Sequence, residues 1–87
     1  MEDQETRIKR LKIRSWRRGT KEMDLYFGRY ADAFLEEMST SELDAFEALL
    51  VNEDSDVAAW VTGTARVPDA FAETVKTLRD YSISLKF

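Results

Sequence analysis

Apolar positions along this chain recur at spacings of three and four residues, the period of one face of an α-helix. The pattern predicts five short helices. The first covers about residues 4–17, with Ile8, Leu11 and Ser15 on one face and Trp16 at its edge. Arg7, Arg10, Arg14 and Arg18 follow at spacings of 3, 4 and 4, so they form a second stripe beside the apolar one. Gly19 comes next and suits the residue just past a helix end, where a positive φ is needed. Thr20 then caps a second helix over about 21–38. Met23, Tyr26, Phe27, Tyr30, Phe34 and Met38 share its inner face. Gly28 lies inside that helix, where it admits close approach of a neighbouring helix at a cost of up to about 1 kcal/mol relative to Ala.

Ser39 and Glu42 form the S-x-x-E capping box that opens a third helix over about 40–51. Leu43, Phe46, Leu49 and Leu50 are its core face. Asp54 or Ser55 caps a fourth helix, in which Val57, Trp60 and Val61 point inward and which Gly63 ends. Pro68 takes the first position of a fifth helix over about 68–80, with Phe71, Val75 and Leu78 inward. The last stretch differs: Tyr81, Ile83, Leu85 and Phe87 alternate with Ser82, Ser84 and Lys86. That period of two suggests an extended segment, though seven residues carry it weakly, and the plainer reading is a tail that packs locally or frays. The fold expected is an all-α five-helix bundle, one domain over 1–87 with its core at about 7–80. The aromatic residues of this pattern, Trp60, Phe46, Phe71 and the second-helix stripe, read as core. Trp16, beside the arginines, reads as half exposed.

Eighty-seven residues leave room for one small core and one functional surface. With no Cys, disulfides, thiolate nucleophiles and Cys-based zinc sites are excluded. With no His, the commonest metal ligand and general base are missing, and no Ser-His-Asp or Cys-His constellation can be built. The composition therefore points to a binding or assembly protein, not an enzyme. No apolar run approaches the roughly 18 residues of a membrane span. Residues 1–6 are acidic and polar, unlike a signal peptide or an Arg- and Ser-rich presequence, so a bacterial-type cytoplasm is expected.

Charge changes the picture more than composition does. The net charge is −4, yet residues 7–22 hold eight of the 13 cations against the single acid Glu22. A basic first element on an acidic body suggests a partner surface at the basic end. Within it lies R-G-x-x-E, here Arg18-Gly19-Thr20-Lys21-Glu22, followed by Asp24. Read physically, Gly19 is a corner between two helices where a partner's backbone can come close. Arg18 offers a fork of donors, and Glu22 a carboxylate in the first turn of the next helix. The plain alternative makes Gly19 only a helix cap, with Arg18 and Glu22 an exposed ion pair worth under about 1 kcal/mol.

The stretch Arg10-Leu11, Arg14-Ser15, Arg18-Gly19, Glu22-Met23-Asp24 resembles the signature of the succinate dehydrogenase flavin-assembly factors, or flavinators. Phe46-Glu47 with Leu49-Leu50, then Asp54 and Asp56, Trp60-Val61, Gly63 and Pro68 follow in that family's order, so the likeness covers about residues 8–80. Gly28 also lies where the family often has a glycine. Ile13 departs, standing where an aromatic is more usual, a change expected to touch packing and not the site. The resemblance implies an all-α five-helix bundle that binds the flavoprotein subunit of succinate dehydrogenase. It further implies promotion of covalent attachment of FAD to a histidine of that subunit, with fumarate reductase flavoprotein as a second client. FAD and the histidine belong to the partner, so this chain holds no cofactor and no metal. It implies a monomer in a 1:1 complex, with Arg18, Gly19 and Glu22 at the contact and Asp24, Arg14 and Arg10 extending it. Positioning of the partner's domains carries the mechanism, and a direct acid–base role for Glu22 is a minor alternative.

Other classes compete. Eight cations in sixteen residues suit a nucleic-acid binder or an antitoxin-like regulator, a label some family members carry. A sequence pI near 4.8 and the absence of a recognition helix weigh against it. Glu53, Asp54 and Asp56 suggest a cation site, but lack the calcium-loop pattern and its closing Glu, so capping and a solvated loop explain them.

Overall fold

In the computed structural model, which describes residues 2–85 and only the backbone of 82–85, five α-helices follow one another in the predicted order. They are α1 (Gln4–Ser15), α2 (Lys21–Phe34), α3 (Thr40–Leu50), α4 (Asp54–Thr62) and α5 (Ala72–Leu85). Short 3-10 turns at Leu35–Glu37 and Asp69–Phe71 follow α2 and precede α5. Local chemistry sets most boundaries. The Asp3 side chain accepts from Thr6 N, Thr20 from Met23 N, and Ser39 with Glu42 closes a reciprocal capping box.

The predicted stripes meet in one core. Leu11 of α1, Phe27 of α2, Leu43, Phe46 and Leu49 of α3, Val57 of α4 and Leu78 of α5 are fully buried. Tyr30 stacks on Phe46 with centroids 5.6 Å apart, and Tyr81 sets its ring edge against Phe34 at 5.1 Å. The Cα radius of gyration, 12.2 Å, matches the roughly 12 Å expected of one compact domain this long. Trp60 and Phe71 lie off-centre, half-buried, and stack on each other at 5.6 Å.

Several expectations are corrected. The extended segment suggested from Tyr81 onward is helical through Leu85; Lys86 and Phe87 lie outside the described residues. Val75, Leu78 and Tyr81 are themselves spaced by three, so the segment carries both periods, and docking of Tyr81 on Tyr30 and Phe34 favours the helical one. The second helix ends at Phe34, not Met38. Met38 is already extended because the cap at Ser39 needs an extended approach, and the 3-10 turn keeps Leu35 in the core. Pro68 precedes the 3-10 turn instead of opening the fifth helix, at φ −57° and ψ 144°. Neither Asp54 nor Ser55 caps α4. Glu53 holds the cap position without a side-chain bond, and the Asp54 carboxylate is drawn elsewhere. Ile13, expected to touch packing, is 56% exposed.

Candidate functional site at the corner between α1 and α2

α1 ends at Ser15, whose buried hydroxyl donates back to Leu11 O, and Trp16 is its C-cap. Gly19 therefore lies three residues beyond the cap instead of just past the helix. The expected positive φ is present, at +118°. Asp24, from the first turn of α2, braces this turn. Its Oδ1 accepts from Arg18 N at 2.6 Å and Gly19 N at 3.3 Å. Arg18, Gly19 and Asp24 are thus brought together by backbone hydrogen bonds that the sequence reading did not specify.

Arg18 does not offer its fork to solvent. Its side chain is only 7% exposed and turns inward. Nη1 donates to Leu50 O, Nη2 donates to Asn52 O at 3.0 Å, and Nη2 pairs with Asp54 Oδ1 at 2.8 Å. The guanidinium carbon lies 5.1 Å from the centroid of the Phe27 ring, within cation–π range. Arg18 thus ties the α1–α2 corner to the α3–α4 corner, satisfying carbonyls that the end of α3 leaves open. Its Nε is buried without a hydrogen-bond partner. The exposed Arg18–Glu22 ion pair of the plain alternative is not formed. Asp54 lies close enough to Gly19 that a Cβ there would sit 2.9 Å from Oδ2. The glycine leaves room for a carboxylate of its own chain as well as an exposed backbone.

Glu22 is exposed, and its side chain makes no hydrogen bond or ion pair among the described residues. Arg14 is exposed on α1. Arg10 belongs to another network, in which it reaches Glu2 at 2.8 Å and Glu47 at 2.9 Å, while Arg7 bonds Asp44 at 2.7 Å and Glu47 at 2.9 Å. Hydrogen bonding from Arg10, with a smaller contribution from Arg7, holds the Glu47 carboxyl below its usual range against the desolvation that opposes it. These links fasten α1 to α3. Sequence reasoning missed Leu50, Asn52, Asp54, Asp44 and Glu47 as partners of the arginine stripe. Glu47 enters the sequence reading only within the family pattern, and Asp54 only there, as a helix cap and as part of an acidic run; spacing carries no sign of pairing between distant elements.

Half of the eight cations in residues 7–22 are closely neutralised within the chain. Arg7, Arg10, Lys12 and Arg18 are all paired with acids of the same chain. Among the described residues no cluster of three or more His, Cys, Asp or Glu side chains could hold a metal ion, and no helix is long and apolar enough to cross a membrane.

The chain is similar to proteins named succinate dehydrogenase assembly factor 2, mitochondrial. It is 36% identical over 76 residues to that of Mycosarcoma maydis, covering 87% of this chain and 32% of the relative. To that of Yarrowia lipolytica it is 39% identical over 61 residues, 70% of this chain and 42% of the relative. To that of Candida glabrata it is 38% identical over 78 residues, 84% of this chain and 51% of the relative. The chain thus spans between about a third and a half of these relatives' length. The family model described as flavinator of succinate dehydrogenase matches residues 9–82, from within α1 through the corner and nearly all of the core, and this chain belongs to that family.

Proposed function

We propose that this chain is an assembly factor that binds the flavoprotein subunit of succinate dehydrogenase and promotes covalent attachment of FAD to a histidine of that subunit. Fumarate reductase flavoprotein is a second client in this reading, and the site of action is a bacterial-type cytoplasm. The chain acts as a monomer in a 1:1 complex and holds no FAD itself. Flavin and histidine come from the partner, which suits a chain with no His and no Cys to supply as nucleophile or base.

The observation that carries the reading is the braced corner. Gly19 exposes backbone, and Glu22 stands beside it in the first turn of α2 with its carboxylate uncommitted. Arg18 and Asp24 act through shape, holding that turn against α3 and α4. Arg14 extends the contact along α1, and Arg10 fixes α1 upon α3. A rigid surface that seats the flavoprotein can align histidine and flavin, and alignment alone contributes several kcal/mol, about a thousandfold or more in rate.

Co-expression with the flavoprotein under limiting FAD tests this, followed by denaturation and in-gel flavin fluorescence. The chain should raise the covalent flavin signal. Glu22→Ala should lower both that signal and the affinity for the flavoprotein, with the unfolding midpoint unchanged, since one exposed carboxylate contributes little to folding. Equal fluorescence with and without the chain would exclude the function.

A further inference from the structure

The exposed face of α1 carries an apolar side chain, Ile13, that the core does not bury, beside Trp16, which packs on Gly28. Ile13 is 56% exposed, and Trp16, one turn further, is 38% exposed. Around them the helix places Lys9 and Arg17 four residues either side of Ile13, with Arg14 adjacent. Arg17 continues the helical path, its N–H donating to Arg14 O at 3.2 Å. The side chains of Arg14 and Arg17 have no ion pair among the described residues, and Lys9 has only a loose, exposed one with Glu5 at 3.8 Å. Arg7, Arg10, Lys12 and Arg18, by contrast, are each held by acids of this chain.

A molecule with a net charge of −4 therefore keeps unneutralised guanidiniums around one exposed isoleucine. We infer that this face, centred on Ile13 and rimmed by Lys9, Arg14 and Arg17, seats an apolar patch bordered by carboxylates on the flavoprotein partner. This rests on the function proposed above and moves the centre of the contact from the Gly19 corner onto α1. Charge complementarity selects the occupant, because the rim asks for anions and the centre for a desolvated apolar group. A nucleic acid fits less well. Its phosphate backbone offers nothing apolar to Ile13, and a tight complex neutralises about 6–10 phosphates, more than this rim can meet.

Two variants and two probes test the inference by titration of the purified full chain. The probes are the purified flavoprotein subunit and a 20-base-pair DNA duplex. Ile13→Asp should weaken flavoprotein binding about tenfold or more, as loss of a central apolar anchor does. Arg14→Glu combined with Arg17→Glu should lower the association rate and flatten its dependence on salt. Both should keep the unfolding midpoint within about 2 °C of the parent chain, because these side chains are exposed. Parental affinity in both variants, with Glu22→Ala still impaired, would overturn this inference and leave the proposed function standing. Failure of the parent chain to bind flavoprotein at all would overturn both. DNA binding that the charge reversal abolishes, with flavoprotein binding unaffected, would reassign the face to nucleic acid.

Discussion

Arg18 shows how one side chain can serve a recognition corner without touching what is recognised. A lysine could supply its charge, but only a planar fork reaches the carbonyls of Leu50 and Asn52 and the Asp54 carboxylate together. Removing it leaves Asp54 without its cation and two carbonyls without donors. Truncating one partner of a well-buried pair commonly costs about 3–5 kcal/mol; Asp54 is partly exposed, so Arg18→Ala should cost about 2–3 kcal/mol. Urea unfolding followed by circular dichroism measures it, and a loss below about 0.5 kcal/mol would show the clamp to be idle. Gly19 is bound up with the same clamp. At φ +118° a side chain is strained, and a Cβ meets Asp54 as well, so Gly19→Ala should destabilise by about 1–3 kcal/mol. A bulkier Gly19→Arg thus disturbs fold and surface together, and Glu22→Ala is the cleaner probe of the contact.

At the scale of elements, the joint between α1 and α2 is built from a glycine and an indole. Gly28 lies inside α2 under the ring of Trp16, so that an added Cβ would sit 2.2–2.5 Å from the ring carbons. The sequence suggested that Gly28 admits a close neighbour; the neighbour is one side chain, not a helix backbone. Trp16 also donates from Nε1 to Asp32 at 3.2 Å. Gly→Ala inside a helix normally stabilises by up to about 1 kcal/mol. Here it must push the indole outward and break that bond, so Gly28→Ala should destabilise by about 1 kcal/mol. The same change in a Trp16→Ala background should become stabilising, and the reversal of sign in that double-mutant cycle is the check. What the sequence made legible at this scale is what lies within a turn: the Ser39–Glu42 box, the core stripes and the end of α4 at Gly63. Arg18 was misread because its partners are 32, 34 and 36 residues away. The extended suggestion for the stretch from Tyr81 fails because two periods fit one short segment; its local packing holds at Tyr81.

Across the whole molecule, stability depends on pH through carboxylates whose protons bind more weakly in the fold than in the open chain, among them Glu47, which fastens α1 to α3. Glu47 is lowered chiefly by Arg10, Glu2 likewise by Arg10, and Glu42 by the Ser39 backbone N–H that it caps. Each starts from an ordinary value of 4.5. A lowered folded pKa contributes stability that is complete above the unfolded value and is lost as pH falls through the folded one. The acid limb should therefore begin near pH 4.5 and deepen below it. On the other side, burial raises the Tyr30 hydroxyl above its usual 10.0. That contribution is complete below 10.0 and is lost as pH rises through the folded value. Between the limbs no side chain of the His class is present to titrate. The unfolding temperature measured across the range should form a plateau from about pH 5.5 to 9, with a fall at each end. Glu47→Gln should make the acid fall shallower, because the amide has no proton to gain, while lowering the plateau by loosening α1 from α3. A midpoint that dropped between pH 7 and 6, or an acid limb unchanged in Glu47→Gln, would show that the α1–α3 network is not what acid dismantles.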